Sequence, residues 1–110
     1  MKILQLRPYP GFVMLFDDFE AYRRKHRQVL GKDFDVDRRS IWGRCVPIQS
    51  ADCASWYLVY VQRRRLPTLV HELTHVLLMT FDHIGADPKE GNGEPFCYML
   101  STLVEEAQAK

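Results

Sequence analysis

The hydrophobic residues of this chain occur in short runs bounded by turn residues and in longer runs with helical spacing. Short runs of this kind predict strands. Four segments fit: Lys2–Arg7, Gly11–Phe16, Ile41–Ile48 and Trp56–Val61. Because alternate side chains of a strand point to opposite faces, the last segment has two apolar faces, and we expect it to be covered on both sides.

The first helical stretch follows Asp17-Asp18-Phe19-Glu20, which resembles a capping box with Asp in the cap position. We expect this helix to run to about Leu30 and to stop at Gly31. Its apolar stripe is thin, which predicts a surface helix with one side against a sheet. The charged stretch Lys32–Ser40 that follows predicts a loop.

Two further helices fill the C-terminal part of the chain. Leu66–Ile84 is the strongest prediction, with proline in its first turn and Gly85 suited to its end. A loop, Ala86–Gly93, leads to a last helix from Glu94-Pro95 to about Ala109. Strands with one helix, followed by two consecutive helices, predict an α+β fold. We expect one domain, residues 1–110, in which a small mixed sheet packs on the last two helices.

Composition and charge narrow the class of protein. The formal net charge of +1 argues against a general binder of polyanions, so we expect no specific nucleic-acid partner. Three widely spaced cysteines form no disulfide framework, which favours a reducing compartment. We see neither a signal peptide nor an apolar run of about 20 residues that could span a membrane. We therefore expect a cytoplasmic protein.

The candidate chemistry lies in LVHELTHVLL, Leu69–Leu78. At about 100° per residue, His71 and His75 lie about 40° apart on the helix, and Glu72 is rotated about 100° from His71. The two imidazoles can therefore reach one cation, while Glu72 flanks it. This is the H-E-x-x-H pattern, in which two histidines bind zinc and the glutamate is a general base. We expect one Zn²⁺ per chain and a zinc-activated water that Glu72 deprotonates.

The third zinc ligand has several candidates. Asp82 shares the phase of the histidines but lies about 10 Å along the helix axis beyond His75, which suits a role in orienting a histidine. His83 is better suited to the helix end. We favour Glu94, which lies 19 residues after His75 at the start of the next helix and could point back at the metal.

HELTHVLL followed by GEPFCYMLSTLVEEA resembles the gluzincin metallopeptidases, in which H-E-x-x-H is followed by a glutamate on the next helix. Within them the chain is most similar to minimal cytoplasmic forms, namely the ImmA/IrrE-type peptidases and small phage or prophage zincin-like proteins. The resemblance covers Leu69 to Glu106. It implies a zincin-like domain and hydrolysis of peptide bonds, with a peptide or protein substrate. By that resemblance His71, His75 and Glu94 are zinc ligands and Glu72 is the catalytic acid/base.

Three more predictions concern the surroundings of the site. Tyr98 could donate a hydrogen bond to the oxyanion of a tetrahedral intermediate, or be an aromatic core residue. Cys97 should be a small buried hydrophobic residue. Zincins commonly pair extended substrate with the strand before the active-site helix, and Trp56–Val61 is the candidate here.

Other readings of the motif stay open. Peptide deformylases also use H-E-x-x-H, with an upstream cysteine as third ligand, and Cys45 is upstream here. The stretch ending in Phe-Asp-His83 resembles endoribonucleases that use three histidines. A zincin-like module of phage origin could instead bind a host protein without cleaving it. The sequence gives no oligomeric state.

Overall fold

The computed structural model describes residues 1–31, 42–49 and 55–109, which form an α+β fold with a mixed four-stranded sheet and three helices. The strands are β1 (Lys2–Gln5), β2 (Gly11–Phe16), β3 (Gly43–Gln49) and β4 (Ser55–Val61). The helices are α1 (Phe19–Leu30), α2 (Leu66–Ile84) and α3 (Glu94–Gln108). The predicted loop Lys32–Ser40 and residue Ile41 of the third predicted strand lie outside the described residues.

The strands are arranged in the order β1-β2-β4-β3. The pairs β1–β2 and β3–β4 are antiparallel, whereas β2 and β4 are parallel. Strand β4 is therefore an inner strand with hydrogen-bonded neighbours on both sides. Five consecutive residues of β4, from Tyr57 to Val61, are buried. Because alternate residues point to opposite faces, this confirms the prediction that both faces of the strand are covered.

The two faces of the sheet carry separate hydrophobic clusters because the side chains of each strand alternate. Val13, Tyr57, Val59 and Val61 face α2 and α3, whereas other residues of the same strands face α1. The second cluster includes Met14, Phe16, Phe19, Tyr22, Leu58 and Tyr60. The predicted position of the first helix against one side of a sheet is confirmed. Its buried face includes His26, which the apolar pattern did not indicate.

The helix ends follow local chemistry. Asp18 is the N-cap of α1 and its Oδ1 accepts a hydrogen bond from the backbone N–H of Glu20 at 3.1 Å. A capping box with Glu20 would have required Asp17 as the cap; instead the Asp17 carboxylate pairs with the guanidinium of Arg64 at 2.5 Å. Gly85 ends α2 at a φ of 75°, a left-handed conformation that favours glycine. Across the described ranges, we find no helix with the length and hydropathy needed to cross a membrane.

Helices α2 and α3 pack side by side on one face of the sheet. The rings of Phe81 and Phe96 lie 5.4 Å apart, near the end of α2 and the start of α3. Leu69, in the first turn of α2, belongs to the same buried cluster as Ala107 in the last turn of α3. The two helices are therefore antiparallel. Helix α2 contacts β3 and β4, whereas α3 contacts β1.

Candidate metal centre

Helix α2 divides its residues between a buried face and an exposed face. Leu69, Leu73, Val76, Leu77 and Phe81 are buried, as the helical spacing predicts. His71, His75, Leu78 and Asp82 are exposed and lie along the opposite side. Ile84 was expected on the buried face, but it is 37% exposed because it is the last residue of the helix and extends beyond the core.

The two histidines of the motif meet on the exposed face. His71 and His75 are one turn apart, their ring centroids lie 4.7 Å apart, and the rings are nearly perpendicular at 83°. Their Nε2 atoms are separated by 3.1 Å. The prediction that both imidazoles can reach a single cation is therefore consistent with the side-chain geometry.

This separation suits two ligands of one tetrahedral ion. Two nitrogens that each lie about 2.0–2.1 Å from zinc would be about 3.3 Å apart at the tetrahedral angle. The observed 3.1 Å differs from that value by a few tenths of an ångström. Neutral imidazole nitrogens are among the ligands that zinc accepts. The pair fits half of a zinc coordination sphere.

Glu72 lies on the flank of α2 and is buried, with only 6% of its surface exposed. Its Oε1 atom is 3.9 Å from the Nε2 atom of His71. Burial raises the pKa of the Glu72 carboxyl, and the nearby rings of His71 and His75 lower it in part. The carboxyl group thus reaches the edge of the histidine pair from a desolvated position, which agrees with a flanking role.

The cover over Glu72 comes from β3. The backbone of Gly43 passes close to the side chains of Thr68 and Glu72, and Cys45 packs against the cluster between the sheet and α2. Burial and the charge of Glu72 raise the pKa of the Cys45 thiol to about 12. From the sequence Cys45 was predicted only as a possible ligand, and no role was predicted for Gly43. A glycine within a predicted strand often marks a place where another part of the chain approaches the backbone closely. That pattern could have indicated the role of Gly43.

The proposed third ligand is not gathered with the histidine pair. Glu94 is exposed at the first position of α3. Two residues later Phe96 contacts Phe81, which lies six residues, or about 9 Å along the axis, beyond His75. In the ranges that the structure describes, no group of three His, Cys, Asp or Glu residues is arranged to hold a metal. Glu94 as a ligand stays a prediction, as do its alternatives.

The alternative ligands occupy different surroundings. Asp82 and His83 are exposed in the last turns of α2. Cys45 is half-buried and faces the core cluster between β3 and α2. The structure therefore brings together His71, His75 and Glu72, and among the described residues no candidate third ligand completes a metal-binding group with them.

Two predictions about α3 have different outcomes. Tyr98 is 70% exposed, so its alternative as an aromatic core residue is wrong, while its catalytic role stays a prediction. Cys97 is also exposed, which contradicts the prediction that it is a small buried residue. The buried face of α3 is formed by Leu103 and Ala107, and Cys97 lies outside it because helical phase carries it to the flank.

The strand predicted to pair with substrate is not available for pairing. Strand β4 already has β2 and β3 as neighbours, so no row of its backbone groups is free, and that prediction is wrong. Strand β3 has one neighbour among the described strands and passes beside Glu72. The other edge strand of the described sheet is β1, so an added extended segment that reaches Glu72 would pair with β3. Comparisons with protein-family models, with curated proteins and with solved structures found no match.

Proposed function

We propose that this chain is a zinc-dependent metallopeptidase of gluzincin type that hydrolyses peptide bonds as an endopeptidase. The observation that supports this most is the geometry of the motif. The Nε2 atoms of His71 and His75 lie 3.1 Å apart, and the buried carboxylate of Glu72 lies 3.9 Å from one of them. A metal, its ligands and a base are what the hydrolysis requires.

His71 and His75 would hold the zinc ion, and Glu94 is the proposed third ligand. When bound, zinc supplies Lewis acidity and lowers the pKa of a water molecule to about 7. The exposed position of both histidines leaves the opposite side of the ion open to solvent and substrate. An open coordination position distinguishes catalytic zinc sites from structural ones.

Glu72 would move the proton. Its carboxylate takes a proton from the attacking water and delivers it to the nitrogen of the leaving amine. Burial suits this role, because a carboxylate whose pKa is raised is a stronger base toward the attacking water than a solvated surface carboxylate. Tyr98 is the proposed donor to the oxyanion, and α3 would have to bring its exposed ring to the reacting carbonyl.

Recognition of substrate would use the backbone of β3. This strand is an edge of the described sheet, and its first residue lies against Glu72. An extended peptide that pairs with β3 would therefore pass close to the base. Backbone pairing makes recognition tolerant of the substrate sequence, with specificity left to side-chain contacts.

The test compares zinc-loaded wild-type protein with Glu72→Gln on a mixture of peptides, with cleavage followed by mass spectrometry. We expect one zinc per chain in both proteins and a rate about 100- to 10,000-fold lower in the variant, the usual contribution of a general base. Glu105→Gln is the matched control, because Glu105 is an exposed carboxylate on α3. Equal cleavage by Glu72→Gln and wild type would refute the assignment.

A second candidate is a non-catalytic zincin-like module that binds another protein. The observation in its favour is that the described residues gather two metal-binding side chains and no third. Such a module would capture an uncleaved partner equally well with Glu72 or with Gln at position 72. A peptidase would release cleaved products from the wild type and retain the intact substrate on Glu72→Gln.

A further inference from the structure

Gly43, the first residue of β3, lies against helix α2. A Cβ atom added at Gly43 would lie 2.6 Å from Cγ2 of Thr68, 3.0 Å from Cγ of Glu72 and 3.1 Å from the carbonyl oxygen of Tyr60. Carbon atoms in close-packed interiors are separated by about 3.5–4.0 Å. Any side chain at this position would therefore have to displace one of its neighbours.

The neighbours differ in how far they can yield. The Tyr60 carbonyl belongs to β4, which is hydrogen-bonded to strands on both sides. Thr68 and Glu72 are side chains one turn apart on the same flank of α2. The displacement would consequently fall on these two side chains. Movement of the Glu72 Cγ atom also moves its carboxylate, which is 3.9 Å from His71.

The start of β3 cannot easily retreat from the helix. The carbonyl of Trp42 accepts a hydrogen bond from the backbone N–H of Gln62 at 2.7 Å. The guanidinium of Arg65 lies over the Trp42 ring, 4.1 Å from its centroid. Gly43 is also in register with Val61, the last residue of β4. These contacts fix the residue before Gly43 to the segment that connects β4 with α2.

We propose that Gly43 is a positioning residue for Glu72: its lack of a side chain lets β3 lie against α2 and fixes the carboxylate beside the histidine pair. The geometric part of this proposal stands on the contacts alone. Its consequence for catalysis rests on the proposed peptidase function. Gly43 has no side chain to bind the metal or to react, so the effect of a side chain at this position would reach catalysis through Glu72.

The experiment compares Gly43→Ala with Gly11→Ala. Gly11 is a matched control, because a Cβ atom there would lie 2.8 Å from Cδ1 of Leu6 and 3.1 Å from the carbonyl oxygen of Ser55, at the opposite end of β4. Crystal structures give the position of the Glu72 carboxylate, competition with a chelating dye gives zinc affinity, and steady-state kinetics give kcat and KM. All three are measured on each variant.

We expect Gly43→Ala to displace the Glu72 carboxylate and to lower kcat by up to about 100-fold, as displacements of about 1 Å can do. Zinc affinity should change by less than about threefold, because the nearest neighbours of Gly43 do not include a histidine. KM should change less than kcat, because Gly43→Ala leaves the backbone groups of β3 in place for pairing with substrate. Thr68→Ser added to Gly43→Ala removes the closest contact and should restore part of kcat. Gly11→Ala should leave the carboxylate and kcat unchanged.

Several results would overturn the proposal. An unmoved carboxylate with normal kcat in Gly43→Ala would do so, and so would equal losses of kcat in the two glycine variants.

If Gly43→Ala does not fold, Trp42→Ala decides, because Trp42 is 58% exposed and its ring holds the start of β3. We then expect kcat to fall with zinc affinity unchanged, and unchanged kcat would overturn the proposal. A displaced carboxylate in zinc-loaded protein that cleaves nothing, wild type included, would leave the positioning role standing and refute the peptidase.

Discussion

Glu72 and His71 are adjacent in the chain, yet 8% of the Glu72 side chain is exposed against 66% of the His71 side chain. Their Oε1 and Nε2 atoms are nevertheless only 3.9 Å apart. Glu72, the proposed base, therefore reaches the candidate metal site from the protein interior, whereas His71, a proposed ligand, reaches it from the solvent side.

Removal of one histidine should weaken zinc binding strongly. Partners that only orient a ligand contribute about 10- to 100-fold to metal affinity, so we expect His71→Ala to lose more than about 100-fold. Competition with a chelating dye measures the affinity. Leu78→Ala is the control, because Leu78 is exposed on the same helix and carries no metal-binding atom. Equal losses in the two variants would place the metal elsewhere.

The third ligand can be identified by ranking the zinc affinities of variants in which each candidate ligand is replaced by alanine. We expect Glu94→Ala to lower zinc affinity more than Asp82→Ala or Cys45→Ala, because Glu94 begins the helix that packs along α2. The same competition assay gives the ranking. A larger loss in Cys45→Ala would favour a deformylase-like site, and a larger loss in His83→Ala would favour a three-histidine site.

The Cys45 thiol should make the protein sensitive to alkaline pH. Its pKa rises from 9.0 to about 12 in the folded protein, mainly through burial and then through the charge of Glu72. The folded pKa is above the unfolded one, so this contribution to stability is complete below pH 9 and is lost as the pH rises toward 12. Burial raises the pKa of Tyr22 as well, in the same direction.

We therefore expect the free energy of unfolding, measured in urea, to fall between about pH 9 and pH 11. In Cys45→Ala the fall should be smaller, with the remainder due in part to Tyr22. Identical pH dependence in the variant and the wild type would contradict the assigned burial of the thiol.

The two faces of α2 should respond differently to truncation. Leu73 is fully buried, and Leu73→Ala should cost about 2–5 kcal/mol of unfolding free energy through lost contacts and the cavity left behind. Leu78 is 45% exposed, and Leu78→Ala should change stability by less than about 0.5 kcal/mol. Chemical denaturation of both variants measures the difference. Similar losses would mean that the helix is rotated about its axis.

Helix α2 shows what sequence reasoning can reach. Its bounds, Leu66 and Ile84, were predicted because apolar spacing, a proline in the first turn and a glycine after the last turn agree. The relative positions of His71 and His75 followed from the same helical period. The alternating faces of β4 were also predictable, because the period of a strand is fixed by its backbone.

Contacts between distant segments could not be predicted in this way. Periodicity gives the faces of a strand but not its neighbours, so the inner position of β4 and the edge position of β3 were missed. The burial of Glu72 depends on β3 for the same reason, since its cover comes from Gly43, 29 residues earlier in the chain. The exposure of Cys97 is different, because the apolar spacing of α3 already places Cys97 outside the face that Leu103 and Ala107 bury.

The central claim is that one metal ion is held by both histidines of α2. Crystals grown with zinc, with diffraction measured on both sides of the zinc absorption edge, test it most directly. We expect one anomalous peak per chain, about 2.0–2.1 Å from the Nε2 atoms of both His71 and His75. Imidazole rings that point apart with no peak between them, in protein supplied with excess zinc, would contradict the claim.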